Sequence, residues 1–319
     1  MAASTTSTST LTPSRGQVGV KHRPRPPGYA SQMAFVATGL IPILAMFAVF
    51  AFLPIGIVLW LSLLRYNQLA PTAPFIGLNN YTFAFTKDPF FLNALGTTLK
   101  YALVAVPVNL AFALPIALGL NAVDRLRAVF RSAFFLPTVA SAVAVSLIWR
   151  YIYEPQAGWL NEALGALGLP ERSWLAEPAT ALWAIMATAV WQDLGYNVLI
   201  LLAGLQGIPD DFYDAAKVDG AGGWAAFVGI TIPLLGRTLL FVSVLTMISY
   251  LQQFTYVQVM PSTPGSPIHS TETMVLYVYT KAFSNMQLGY ASAMSVVLMA
   301  IILIVTLAQF RFLRSRWEY

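Results

Sequence analysis

Two short groups of polar and aromatic residues lie inside otherwise apolar stretches of this chain. The first group consists of Trp191, Gln192, Asp193, Tyr196 and Asn197. The second group consists of Tyr250, Gln252, Gln253 and Tyr256. Aromatic rings can stack on the face of a sugar ring while carboxylate and amide groups hydrogen-bond to its hydroxyls. The same side chains could instead join neighbouring helices by hydrogen bonds, and the residues alone are compatible with both interpretations.

Residue types that enzymes commonly use are scarce in this chain. It has no cysteine and two histidines, His22 and His269. Thiol catalysis, disulfide frameworks and the paired-histidine zinc motif of metallohydrolases are therefore excluded. An enzyme embedded in a membrane would need a nucleophile and a base within its apolar stretches, and Asp193 is the only acid there. We therefore expect no catalytic residue and no metal site.

The elements that position these residues follow from composition. Hydrophobic side chains make up 57% of the chain, charged side chains make up 10%, and the mean hydropathy is +0.67. Soluble domains carry about 25% charged residues. Because backbone groups in lipid must be paired internally, each crossing requires a helix of about 20 apolar residues. The sequence predicts an all-α membrane protein with six such spans: Met33–Leu64, Tyr101–Leu120, Ser132–Trp149, Ala179–Leu205, Leu239–Met260 and Leu288–Phe310.

Basic residues between the spans predict the orientation. An even number of spans places both termini on one side, which then carries twelve Lys and Arg residues against six on the other. Since basic residues are enriched in cytoplasmic loops, we predict a multi-pass cell-membrane protein with both termini in the cytoplasm. The net charge of +5 has the same origin, and no nucleic-acid partner is expected. Residues 1–32 are predicted to be a disordered basic cytoplasmic tail, and residues 33–319 the six-helix domain.

The predicted cytoplasmic loop between the fourth and fifth spans, residues 207–233, has a distinctive pattern. Pro209, Asp210 and Asp211 predict the start of a helix, because proline fits the first turn and acids stabilise the positive end of the helix dipole. Gly220 can take the left-handed conformation that ends such a helix. The face that needs a packing partner consists of Phe212, Ala215, Ala216 and Val218. The residues alone allow that partner to be the membrane headgroups or the helical bundle itself.

The spacing in this loop resembles the signature of ABC importer permeases. Asp214-Ala215-Ala216, Gly220, Ile230 and Pro233 match a Glu-Ala-Ala pattern, a glycine four positions later, an isoleucine ten further on and a final Leu-Pro. Asp214 stands where glutamate is usual and Ile232 where leucine is usual. Both changes keep the charge or the apolar character of the position.

Other segments extend the resemblance over roughly residues 33–310. They are Phe75–Tyr81, Phe134–Trp149, Gly158 with Asn161, Gly289–Ala293 and Gln309–Arg314. These segments are similar to the carbohydrate-uptake branch, and specifically to the first permease of maltose-type and glycerol-3-phosphate-type systems. The resemblance implies the type I permease fold, with six transmembrane helices and a cytoplasmic coupling helix.

The resemblance also implies partners and residue roles. In this family a second, similar permease completes the pathway, an extracytoplasmic solute-binding protein delivers the substrate, and a cytoplasmic ATPase dimer drives transport across the lipid bilayer. Asp214, Ala215, Ala216, Gly220, Ile230 and Pro233 would then couple the chain to the ATPase, and the two polar-aromatic groups would line the substrate pathway. The chain has no G-x-x-x-x-G-K-[ST] loop, so no cofactor is expected on it, and ATP and Mg²⁺ belong to the ATPase.

The main alternative is an ion-coupled secondary transporter or a channel that uses Asp193 as a proton or cation site. A single intramembrane acid without a charged partner, and the lack of a visible inverted repeat, argue against this alternative. The substrate stays open among saccharides, polyols and glycerol-3-phosphate esters.

Overall fold

The computed structural model describes residues 28–123 and 127–313. Within these two ranges the chain is helical, and the one β-type contact is an isolated bridge between Leu64 and Phe75. Most of the predicted tail, residues 1–32, lies outside the described residues, as do residues 314–319.

The chain divides into two compact units, and the division falls after Pro54 in the sequence. In the first unit, α1 (Tyr29–Phe47) leads into a π-helical turn (Ala48–Phe52). The apolar sequence continues through α2 (Leu53–Ser62), which begins at the boundary. Residues Gln32–Ser62 are long and apolar enough to cross a membrane and correspond to the first predicted span.

Four more helical stretches in the second unit meet the length and apolarity required for a crossing. They are α4 (Pro89–Ala122), α8 (Ala181–Gln206), the stretch Gly223–Val259 that contains α11 (Ile232–Leu251), and α14 (Leu288–Leu313). Each corresponds to a predicted span, and the described residues therefore hold five candidates besides the bent helix pair described next. α4 begins twelve positions before the predicted span because Asp88 caps it.

The third predicted span, Ser132–Trp149, is bent rather than straight. It consists of α5 (Arg127–Val139) and α6 (Ala142–Ile152), which meet at 95°. Pro137 lies in the last turn of α5, and Ser141 has an extended backbone that ends the helical path. Counting this pair as one broken span gives six crossings within the described part of the chain.

Short helices occupy the segments between the spans. They are α3 (Asn79–Thr86), α7 (Trp159–Ala166), α9 (Asp211–Val218), α10 (Gly223–Ala226), α12 (Thr255–Val259) and α13 (Met274–Tyr279). Two π-helical turns complete the connections, at Phe227–Thr231 before α11 and at Thr280–Ser284 after α13.

The segment Phe75–Tyr81, which carries part of the family resemblance, closes the end of α2. The side-chain amide of Asn80 donates to the carbonyl oxygens of Ser62 at 2.7 Å and Leu64 at 3.0 Å. Tyr81 donates its hydroxyl to Ser62 Oγ at 2.7 Å. Gly77 has a φ of +57°, which favours glycine in the turn that leads to α3. This motif therefore satisfies carbonyl groups that the end of a helix leaves unpaired.

Asp88 joins α4 to the last two helices. Its carboxylate accepts the Phe90 N–H at 3.1 Å and the hydroxyls of Tyr277 and Tyr290 at 2.8 and 2.6 Å. Burial alone would raise the pKa of this carboxyl, but the hydrogen bonds from Tyr290, Tyr277 and Phe91 hold it below its ordinary value. A charged N-cap thus fixes the start of α4 against α13 and α14.

Helices α5 and α8 are in close backbone contact at Gly195. A Cβ atom built at Gly195 would lie 1.9 Å from the carbonyl oxygen of Phe134. Small residues at such crossings let helix backbones approach within a membrane. The contact therefore requires glycine at this position.

We predict that Gly195→Val separates α5 from α8 and lowers the melting temperature of the purified protein, with an overpacking cost of about 1–3 kcal/mol or more. The matched control is Gly96→Val in α4, where a Cβ atom would meet nothing within 4 Å. Fluorescence-detected thermal unfolding in detergent measures both variants. Equal melting temperatures for Gly195→Val and Gly96→Val would contradict the close contact.

Candidate coupling helix and polar cavity

The loop that carries the signature forms a short capped helix. α9 covers Asp211–Val218, as Pro209 and the following acids predict, and Gly220 has a φ of +76°. The Gly220 N–H donates to the carbonyl of Lys217 at 3.1 Å, and the Ala221 N–H donates to that of Ala216 at 2.9 Å. This pair of bonds is a Schellman motif, which requires a left-handed residue where Gly220 lies.

The two alanines of the signature face opposite ways. Ala216 is buried against the rest of the chain, whereas Ala215 is exposed. On the buried side, the hydroxyl of Tyr213 lies 3.1 Å from Thr231 Oγ1 and ties α9 to the turn before α11. Of the predicted packing face, only Ala216 is buried on this chain. The bundle therefore holds α9 in place but covers one side of it.

The exposed side of α9 combines apolar residues with an ion pair. Phe212, Ala215 and Val218 are exposed, and Val218 reaches 88%. Lys217 Nζ lies 2.8 Å from Asp214 Oδ1, and both side chains are largely exposed. Ile230, in the π-helical turn, is half-buried, and Pro233 is near the first position of α11. The exposed side of α9 is therefore available to a partner.

A polar cavity of about 450 Å³ lies beside the bend between α5 and α6 and the end of α11. The predicted pathway residues that line it are Gln192, Asp193, Gln252, Gln253 and Tyr256. A second cavity of about 290 Å³ is lined by Asp193, Tyr196 and Asn197. The two cavities adjoin, because both are lined by Thr138, Asp193 and Ser249.

Two predicted pathway residues lie elsewhere. Trp191 packs on Trp149, with ring centroids 5.4 Å apart, and lines an apolar groove between α4 and α8. Tyr250 is fully buried and contacts Tyr101 edge to face at 5.6 Å. Its hydroxyl accepts from Asn109 Nδ2 at 3.2 Å and hydrogen-bonds to Asp193. Tyr250 therefore supports the wall of the cavity from behind.

A buried hydrogen-bond network connects the three helices around the cavity. Asn197 Nδ2 donates to Asn109 Oδ1 at 2.6 Å and to Thr246 Oγ1 at 3.0 Å. These bonds link α8 to α4 and α11. Sequence reasoning missed Asn109, although an amide within the predicted span Tyr101–Leu120 was a signal that could have found it. It also missed Thr138 and Ser249, whose hydroxyls carry no comparable signal.

The two glutamines at the end of α11 have different surroundings. Gln253 is buried, accepts the Phe254 N–H at 2.9 Å and donates to Tyr101 at 3.4 Å. Gln252 is exposed to the cavity, and no side-chain hydrogen bond joins it to another residue of the described ranges. Gln253 thus bridges the break after α11, whereas Gln252 lines this cavity and another one beside α13 and α14.

Gln192 and Tyr256 form a second hydrogen-bonded pair, which stabilises the bend between α5 and α6. Gln192 Nε2 donates to the carbonyl of Ala140 at 2.8 Å, at the bend between α5 and α6. The hydroxyl of Tyr256 donates to Gln192 Oε1. The carbonyl that the bend leaves free is therefore paired by a side chain from α8. Among the described residues no group of three or more Asp, Glu or His side chains could hold a metal ion.

Comparison with known proteins identifies the class to which this fold and loop belong. Residues 109–318 match the family described as "Binding-protein-dependent transport system inner membrane component". The chain belongs to this family. It is a non-catalytic permease subunit of an ABC importer, located in the membrane, and an ion-coupled transporter that uses Asp193 is not favoured.

Individual relatives cover most of the chain. The probable ABC transporter permease protein YesP of Bacillus subtilis is 37% identical over 85% of this chain and 87% of its own. The diacetylchitobiose uptake system permease protein NgcF of Streptomyces coelicolor is 34% identical over 82% and 77%. The sn-glycerol-3-phosphate transport system permease protein UgpA of Agrobacterium fabrum is 31% identical over 87% and 94%.

The fold matches a solved ABC importer. A chain in the crystal structure of a bacterial alginate ABC transporter, in complex with an alginate pentasaccharide-bound periplasmic protein, superposes with a TM-score of 0.77. It shares 20% sequence identity, and the match covers 89% of this chain and 95% of that one. The likeness supports the type I permease fold.

We predict that Gln252 and Gln253 respond differently to truncation. Gln252→Ala should raise the KM for uptake of the transported solute severalfold with an unchanged melting temperature, because Gln252 lines the polar cavity and its side chain hydrogen-bonds to no other described residue. Gln253→Ala should lower the melting temperature, since it leaves the partly buried Phe254 N–H without its partner, at a cost of about 1 kcal/mol. Uptake kinetics in proteoliposomes and thermal unfolding measure the two effects. Unchanged uptake in Gln252→Ala would remove this residue from the pathway.

Proposed function

We propose that this chain imports a sugar or sugar-like solute as one of two similar permeases, together with an extracytoplasmic binding protein and a cytoplasmic ATPase dimer. α9 and Gly220 couple the chain to the ATPase, and both termini lie in the cytoplasm. The observation that carries the proposal is a capped helix with the family's signature, fixed on one side by the bundle and exposed on the other.

The exposed side of α9 has the properties of a docking surface for the ATPase. Ala215 lets a partner backbone approach closely, and Phe212 and Val218 offer apolar area beside it. Asp214 supplies a charge for a basic residue of the partner, in exchange for its exposed pair with Lys217. Tyr213 and Ala216 hold the helix from the other side, so that a force on α9 moves the turn before α11.

The orientation rests on the basic residues. With α9 in the cytoplasm, the termini lie on the same side, which also carries most of the Lys and Arg residues. The ATPase then binds ATP and Mg²⁺, and this chain binds neither.

The solute class rests on two supports. Relatives named for diacetylchitobiose and for sn-glycerol-3-phosphate transport are 34% and 31% identical to this chain. The cavity is lined by the amide of Gln252 and the hydroxyls of Thr138, Ser249 and Thr255, which suit the hydroxyls of a sugar.

The coupling role is tested at Gly220. In the complete transporter reconstituted into proteoliposomes, Gly220→Ala should reduce ATP-dependent uptake about tenfold and leave basal ATP hydrolysis intact, because a side chain at positive φ strains the C-cap of α9. Gly222→Ala is the matched control, since its φ is −72° and a Cβ atom there meets nothing within 4 Å. Uptake of a mixed panel of mono- and disaccharides, measured by mass spectrometry, gives the readout.

Two results would overturn the proposal. One is uptake that persists without the ATPase and collapses when a protonophore is added. The other is equal, normal uptake in the two glycine variants, which would separate the signature loop from coupling.

A further inference from the structure

The two adjoining cavities form one polar tract, and its charged lining residue among those described is an acid. Asp193 lies where they meet and lines both. The other polar groups around it are neutral amides and hydroxyls, chiefly those of Gln192, Gln252, Asn197, Thr138 and Ser249. No Lys or Arg of the described ranges lines either cavity.

Two lysines of the second unit lie over aromatic rings and line neither cavity. Lys100, on α4, lies over the ring of Trp183 at 5.1 Å, and Trp183 lines the apolar groove on the other side of α8. Lys281 lies over the ring of Tyr277 at 5.0 Å, near Asp88. Within residues 28–123 and 127–313, Asp193 is in no ion pair, and its hydrogen-bond partner is the hydroxyl of Tyr250.

This arrangement suits an uncharged solute. A phosphate or carboxylate that leaves bulk water for a protein cavity gives up part of its hydration, and cations or several directed donors must compensate for that loss. The one charged group that the described residues of this chain place in the two cavities is an acid, which repels an anion. Hydroxyl groups, in contrast, can donate to Asp193 and to amide oxygens and can accept from the amide of Gln252.

We infer that the transported solute is a neutral saccharide or polyol and that Asp193 excludes anionic solutes such as sugar phosphates and uronates. This inference rests on the proposed function and decides between solute classes which that function leaves open. Asp193 is then a specificity-determining residue of the cavity.

The test uses the complete reconstituted transporter and matched pairs of probes. Each pair consists of a neutral mono- or disaccharide and its uronic acid or phosphate ester. A further pair consists of glycerol and glycerol 3-phosphate. Uptake of the mixed panel is measured by mass spectrometry. The wild type should take up the neutral member of the transported pair at least tenfold faster than the anionic member.

Two variants test whether Asp193 is responsible for the exclusion of anionic solutes. Asp193→Asn keeps an oxygen that can accept from Tyr250, and it should lower the ratio of neutral to anionic uptake severalfold while neutral uptake continues. Glu162→Gln is the control, because it removes one exposed carboxylate on α7 outside both cavities and should leave the ratio unchanged.

The failures are distinguishable. ATP-dependent uptake of the anionic member at an equal or higher rate would overturn the inference and leave the proposed function standing. An unchanged ratio in Asp193→Asn would overturn the role of Asp193. If no member of the panel enters in an ATP-dependent way, the proposed function fails, and the inference fails with it.

Discussion

A bilayer offers no water to pair the backbone groups that a break in a spanning helix leaves free. This chain breaks two spans beside its polar cavity, after α5 and after α11. Gln192 donates to the free carbonyl of Ala140 at 2.8 Å, and Gln253 accepts the free N–H of Phe254 at 2.9 Å. The cavity lies beside these two breaks. The two glutamines pair one backbone group at each break that would otherwise lack a hydrogen-bond partner. Gln192 and Gln253 therefore line the cavity and stabilise the breaks beside it.

Two closely packed helices, α8 and α11, link the cavity to α9. α8 carries Asp193 and Asn197 in the cavity wall, and its end, roughly 14 Å further along the helix axis, leads directly into residues 207–233. α11 follows that loop and meets α8 closely, since a Cβ atom at Gly204 would lie 2.6 Å from Thr238 Oγ1. Closely packed helices move together rather than deform. A displacement of α9 thus has a short path to the cavity.

Local rules made much of this predictable from sequence. Apolar length located the spans, and Pro209, the acids after it and Gly220 set the ends of α9 to within a few residues. The bend at Ser141 was not predictable, because its apolar flanks satisfy the rule for a straight span. The roles of Gln192, Gln253 and Tyr250 were not predictable either. The sequence does not show whether a buried amide or hydroxyl pairs a backbone group or contacts a solute. Only the atoms that it hydrogen-bonds to in the structure distinguish these two roles.

The central claim is that the exposed side of α9 is the contact with the ATPase, and thiol labelling tests it most directly because the chain has no cysteine. Val218→Cys should react rapidly with a maleimide in the permease pair alone and become protected when the ATPase is bound. Leu167→Cys, at an exposed position after α7, should react equally in both states. Equal reactivity of Val218→Cys with and without the bound ATPase would contradict the account.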